Sequence, residues 1–145
     1  MKGAAFTASV MAKCQNAPVD MLMYYDARPC IFNGLFDFYT LLPLKGYYPF
    51  VMWNELYKLG VQAEATSDDP AVDVVCASDG DAATAVITYY SMDEEAAAKE
   101  VTVNGTGTYE VFTLDADHSN EKTATVTLPT SITMKANSVL MLKKV

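Results

Sequence analysis

The sequence predicts a mainly β chain: an antiparallel β-sandwich preceded by a helix-strand-helix unit. Three observations carry this. Twelve of the sixteen aromatic residues lie in residues 1–60, whereas twelve of the fourteen threonines lie after Gly60. Charge divides at the same place, with five basic and four acidic side chains up to Gly60 and five basic and fourteen acidic beyond it. Short β-rich runs separated by turn residues then fill the second part, with no long helical pattern between them. No linker rich in Pro, Gly or Ser intervenes, so the two units, 1–60 and 61–145, are expected to pack together.

The first element is a helix from Gly3 to Asn16, with Phe6, Val10 and Cys14 on one stripe and Pro18 as its stop. Next comes Val19-Asp-Met-Leu-Met-Tyr-Tyr25, a nearly continuous apolar run of the kind found in a strand buried on both faces. Tyr47 to Leu59 reads as a second helix, with Tyr48, Val51, Met52 and Leu56 or Tyr57 at helical spacing. Pro49 falls in its first turn and Gly60 at its C-terminal stop. Helix, buried strand and helix form a piece of an α/β repeat, and three such elements cannot bury their own faces.

The strands of the second part begin with Val61-Gln-Ala-Glu-Ala-Thr66, which alternates cleanly. Further runs at 72–78, 84–91, 99–103, 108–114, 122–128 and 138–143 contain Val86, Val111, Val126 and Leu140 among Thr, Tyr and Phe. Turns are expected at Ser67-Asp-Asp-Pro70, Asp79-Gly-Asp81, Asn104-Gly-Thr-Gly107 and His118-Ser-Asn120, with Asn104-Gly105 a tight-hairpin signal. Met92 to Lys99 fits either a helical turn or a loop.

Composition narrows the function. Apolar residues make up 51% and charged residues 19% of the chain, which is enough apolar surface to offset ordering entropy. A net charge of −8 argues against nucleic acid as a partner. No apolar run approaches the ~20 residues that span a bilayer, so no membrane partner is expected. Cys14, Cys30 and Cys76 lack zinc spacing and leave at least one thiol unpaired. His118 is the only histidine and lies in a polar turn, and no catalytic triad, histidine pair or zincin site is expected. Asp79-Gly-Asp81, Asp93-Glu-Glu95 and Asp115-Ala-Asp117 do not follow the helix-loop-helix calcium pattern. No metal and no cofactor are expected. The opening stretch has a short apolar segment and Lys13 directly before Cys14, unlike a secretion signal, and a cytoplasmic location is the resulting expectation.

Four stretches carry a family resemblance: 19–29 with its Tyr24-Tyr-Asp26, Phe32-Asn-Gly-Leu-Phe36, Pro43-Leu-Lys-Gly-Tyr-Tyr48 and Asn54-Glu-Leu-Tyr-Lys-Leu-Gly60. Together they resemble the end of the catalytic barrel in glycoside hydrolases of family thirty-nine and related β-xylosidase-like enzymes. There, a last strand ending in Tyr-Tyr-Asp, an Asn-Gly loop and a last helix precede a β-sandwich. Tyr109-Glu-Val-Phe-Thr-Leu-Asp115, His118-Ser-Asn120 and Ser138-Val-Leu-Met-Leu142 are similar to that sandwich. The resemblance implies a C-terminal fragment: residues 1–60 as a helix-strand-helix remnant of a (β/α) barrel, and 61–145 as an accessory sandwich. It also implies that both catalytic glutamates lie before Met1. Tyr25, Asp26, Arg28 and Asn33 would face the sugar site of the parent enzyme, and carbohydrate would be a partner only in that context. Where family members often place Trp before the Asn-Gly, this chain has Phe32.

Retaining hydrolysis needs two carboxyl groups about 5–5.5 Å apart. Only Asp20, Asp26, Asp37 and Glu55 precede residue 61, and only Asp26 ends the expected strand. No catalytic residue is therefore assigned. An ion pair between Asp26 and Arg28, with Tyr25 in the core, is the plain structural alternative. Two rival functions remain: a stand-alone carbohydrate-binding sandwich using Tyr89, Tyr90, Tyr109 and Phe112, or a small enzyme using Asp26 and Asp37. The apolar surface of residues 1–60 is expected to drive homo-oligomerisation.

Overall fold

A computed structural model describes residues 1–31, 34–93 and 95–145. Helix α1 spans Lys2–Cys14, and a 3-10 turn, Lys45–Tyr47, leads into helix α2, Tyr48–Leu59. Six strands follow among the described residues: β1 Gln62–Ala63, β2 Val72–Ser78, β3 Ala83–Tyr89, β4 Lys99–Leu114, β5 Ser119–Met134 and β6 Ser138–Lys144. They form one sheet in the order β1-β2-β3-β6-β4-β5, antiparallel throughout. The last strand, β6, inserts between β3 and β4 and joins the two halves. No described helix is long and apolar enough to cross a membrane.

The two layers of the expected sandwich come from this single sheet. β4 and β5 pair from Lys99↔Met134 to Leu114↔Ser119, but β4 meets β6 only over Tyr109–Leu114. The outer half of the hairpin folds back over the sheet, so that Val101, Val103, Leu128 and Ile132 pack with Val72, Ile87, Leu140 and Leu142. The bend falls at Asn104–Gly107, where the register shifts and Gly105 and Gly107 take φ of 152° and 100°. Asn104-Gly105 is thus a bulge inside one continuous strand and not the expected hairpin turn. The runs on either side of it pair with β5 and not with each other, and the extra residues there bend the strand. The hairpin turn lies instead at 115–118, where the Asp115 N–H donates to the His118 carbonyl.

The opposite face of the sheet is covered by the helices. β6 shows the division residue by residue: Val139 and Met141 face the helical layer, Leu140 and Leu142 the folded hairpin. In α1 the buried face is Ala4, Ala5, Ala8 and Ser9, not the expected Phe6, Val10 and Cys14 stripe. Small side chains let the helix axis approach the sheet closely, while Phe6 stays 52% exposed and packs at a tilt against Tyr90. Asp73 of β2 anchors the helix by accepting from Ser9 Oγ at 2.5 Å and pairing with Lys13 Nζ. In α2, Met52 and Leu56 enter the core, Pro49 sits in the first turn, and Gly60 closes the helix in the left-handed conformation, as expected. Tyr57 points outward. Glu55 ties α2 to the sheet through Lys143 at 2.6 Å and also binds Lys58.

Two expected strands change. Residues 19–25 form no strand, and Met21, Met23 and Tyr25 are 73%, 81% and 84% exposed. An extended apolar run becomes a strand only beside a partner edge, and the described residues supply none there. The alternation at 61–66 survives only as Gln62–Ala63, after which the chain leaves the sheet. Between Met92 and Lys99 the described residues form bends and a turn, not a helix.

Candidate functional site

The expected site residues lie between the helices, in a segment folded by local contacts. Arg28 Nε donates to Asp26 Oδ2 at 2.8 Å, which raises the guanidinium pKa further above its ordinary value. The arginine side chain is largely in solvent while the Asp26 side chain is mostly covered. This is the loop ion pair of the plain alternative. Tyr25, by contrast, is outside the core. Asn33 lies outside the described residues. Beside it, a Cβ on Gly34 would fall 2.4 Å from the Arg28 carbonyl oxygen and 2.6 Å from the Cys30 nitrogen, so only glycine lets the chain fold back against 28–30.

Residues 35–44 form a small hairpin around the Phe36↔Pro43 bridge, with the Leu44 N–H donating to Leu35 O and the Asp37 N–H to Leu42 O. Asp37 Oδ1 accepts from the backbone N–H groups of Tyr39 and Thr40 and from the Thr40 hydroxyl. The Thr40 hydrogen bonds hold the Asp37 carboxyl below its ordinary pKa, the wrong direction for a general acid. Asp26 and Asp37 are thus a salt-bridged carboxylate and a turn cap. The tip carries Phe38, Tyr39, Leu41 and Leu42, each more than half exposed. The aromatics nearer α2 do pack: Tyr24 against Phe50 edge-on at 5.5 Å, and Phe36 against Tyr47 at 5.3 Å. Trp53 packs partly buried against the helical core.

The sandwich aromatics proposed for sugar binding are taken up in packing. Tyr89 is buried, Tyr90 meets Phe6, and Phe112 lies against the helical core. The acidic turns cap their own backbone: Asp79 Oδ1 accepts from Asp81 and Ala82 N–H, and Asp93 Oδ1 from Glu95 N–H. Burial pushes the Asp115 carboxyl up, but hydrogen bonds from the His118 backbone and ring and from the Asp117 N–H outweigh it and leave the pKa lowered. Lys45 Nζ donates to the His118 carbonyl at 2.6 Å, joining the inter-helix segment to the β4–β5 turn. Among the described residues no group of three or more His, Cys, Asp or Glu is placed to hold a metal ion, and Cys14 and Cys76 carry free thiols.

A groove of about 830 Å³ lies elsewhere, between residues 64–69 and the start of β4. No local sequence signal marks it, because its walls are 30 or more residues apart and meet only when the hairpin bends.

Helical layer, folded-over antiparallel sheet and apolar inter-helix segment together define a mainly β fold with two covering helices. No protein-family model matches the sequence, and no curated protein does. Solved structures do match. A GH30 endoxylanase from Clostridium papyrosolvens C71 superposes with a TM-score of 0.74 at 14% identity over 97% of this chain and 37% of its own. A xylanase of glycoside hydrolase family 30, subfamily 8, from Clostridium acetobutylicum gives 0.73 at 15% identity over 99% and 39%. A glucosidase from Croceicoccus marinus gives 0.72 at 15% over 98% and 42%. At identities this low the superpositions establish a shared fold alone. The chain spans about two-fifths of the length of the structures it matches.

Proposed function

We propose that this chain serves as the terminal part of a glycoside hydrolase: the last barrel elements together with the β-domain that braces them. One observation carries the reading: the chain is matched end to end by glycosidase structures, of which it spans only about two-fifths. The apolar, exposed run at 19–25 supports it, because such a run acquires strand partners and cover when the rest of a barrel stands beside it. The finer assignment, a β-xylosidase-like enzyme of the family thirty-nine type, rests on the resemblance at 19–60. In that setting Tyr25, Asp26, Arg28 and Asn33 border the sugar site, and the catalytic carboxylates come from elsewhere in the parent.

Expression of the reading frame extended upstream of the Met1 codon tests this. The long product is expected to hydrolyse xylan or aryl β-glycosides, and the 145-residue chain alone is expected not to. Turnover by the short chain that vanishes in Asp26→Asn would overturn the proposal in favour of an independent enzyme. A frame closed directly upstream would remove it as well. Without its covering partner, the short chain is expected to self-associate through residues 19–44. Met21→Ser combined with Met23→Ser should then shift its light-scattering mass toward the 15.8 kDa monomer. A clean monomer before substitution would contradict the self-association.

A further inference from the structure

We propose that the groove between residues 64–69 and the outer half of β4 receives an extended polypeptide strand whose apolar side chains alternate with basic ones. The groove lies on the face of the sheet away from the helices, so this does not depend on the glycosidase reading. It exists because strand pairing stops on both sides of it. β1 makes two pairs with β2 and ends at Ala63, and the chain to Asp69 then departs from the sheet. Across the groove, Lys99–Val103 of β4 pairs with β5 on one edge, whereas β6 joins the other edge only from Tyr109 onward. Among the described residues that second edge has no ladder partner, and Glu100 to Gly105 line the groove. An unpaired edge offers a row of N–H and C=O groups that an added strand satisfies. At ~3.3 Å per residue the five edge residues provide a docking length of roughly 16 Å, enough for five or six residues of partner.

The lining selects the partner's chemistry. Val74, Cys76, Ile87, Leu128 and Leu142 form the floor. Ile87 and Leu142 are buried, while Val74, Cys76 and Leu128 keep part of their surface in solvent, so apolar side chains laid over them gain burial. The rim is acidic. Glu64, Asp68 and Glu100 stand along it, and no Lys or Arg is among its described lining residues. Asp69 is already paired with Lys99, which closes one end of the slot. Glu64 and Asp68 are exposed. Successive side chains of a strand point to opposite faces, so one register sets apolar groups on the floor and basic groups toward the rim. A sugar fits the groove poorly, since Tyr109 is the sole aromatic among the described lining residues and gives no stacking platform.

The probes are a synthetic heptapeptide of alternating lysine and valine, the same peptide with glutamate for lysine, and a lysine version with a central proline. Binding is followed by fluorescence anisotropy, and its location by amide hydrogen exchange of the whole chain. The lysine peptide is expected to bind and to slow exchange within 99–105. The glutamate peptide is expected not to bind, and the proline peptide, of equal charge, to bind far less because it breaks the strand. Glu64→Lys with Asp68→Lys, both on the exposed rim, should weaken binding about tenfold, and an unchanged melting curve would show the fold intact. Equal binding of the proline peptide, protection at 19–44 instead of 99–105, or protection of 99–105 that rises with protein concentration without peptide would each overturn the proposal. The last would mean that a second copy fills the slot.

Discussion

Two short apolar runs of this chain end in opposite environments. Ser138–Leu142 is buried at every position, paired with β3 on one edge and β4 on the other, with helices over one face and the folded hairpin over the other. Val19–Tyr25 is also largely apolar, interrupted only by Asp20, yet it forms no strand, and most of its large side chains lie in solvent. Composition does not separate the two; partners do. A strand buried on both faces needs two edges beside it and two layers around it. β6 receives all four from within the described chain, whereas among the described residues 19–25 has no strand ladder on either edge, and Tyr24 packs against Phe50. The exposed apolar run is what the proposed placement within a longer chain would cover.

The contrast is tested most strongly by truncating one side chain in each run. Leu142→Ala removes a fully buried leucine from the central strand, and the expected loss is about 2–5 kcal/mol in urea unfolding. Met23→Ala, at 81% exposure, should stay within about 0.5 kcal/mol of wild type. Comparable losses would mean that 19–25 is buried in solution after all.

Smaller effects are expected where polar contacts join the two regions. Asp73→Asn loses the pairing with Lys13 and weakens the bond from buried Ser9, and should cost about 1 kcal/mol, with faster amide exchange confined to α1. Faster exchange throughout the sheet would show that the helix is not a separable layer.

Glu55 gives the next effect. Hydrogen bonds from Lys143 and Lys58 hold its folded-state pKa below the ordinary value of 4.5. A depressed carboxylate stabilises the fold fully above its unfolded pKa, and that contribution is lost as pH falls through the folded value. Wild type should therefore lose its advantage over Glu55→Gln as pH drops below about 4.5, the difference being no more than about 1 kcal/mol at neutral pH. Parallel stability curves for the two proteins down to the acid transition would show that the Lys143 contact does not hold α2.

Arg28→Ala should have the least effect, with no measurable shift in the unfolding midpoint, because the Asp26 pair lies on a largely solvated arginine. A clear loss would mean that the loop ion pair supports the fold and is not free for a sugar site.

Local signals in the sequence were sufficient for much of this. Both helices, the Gly60 stop, Pro49 in the first turn of α2, and the strands at β2, β3 and β6 all follow from periodicity and stop residues within a dozen positions. The Asp26–Arg28 pair was also legible, as one of two readings of neighbouring charges. Long-range choices were not. Asn104-Gly105 has the composition of a tight turn, and only pairing of both flanking runs with β5 makes it a bulge. The α1 stripe was misjudged because apolar periodicity favours large residues, whereas the close approach of helix to sheet selects Ala4, Ala5 and Ala8. The groove beside β4 has no sequence signature, since its two walls are brought together by the bend of the hairpin.

Propensity and patterning act over a few residues, and so the sequence by itself determined which segments are helical or extended and where they stop. Which edges pair, which apolar faces are covered and which stay open depend on contacts between distant segments, and only the tertiary structure decided those. Val19–Tyr25 and Ser138–Leu142 both read as strands from local sequence, and what the rest of the chain places beside each separates them.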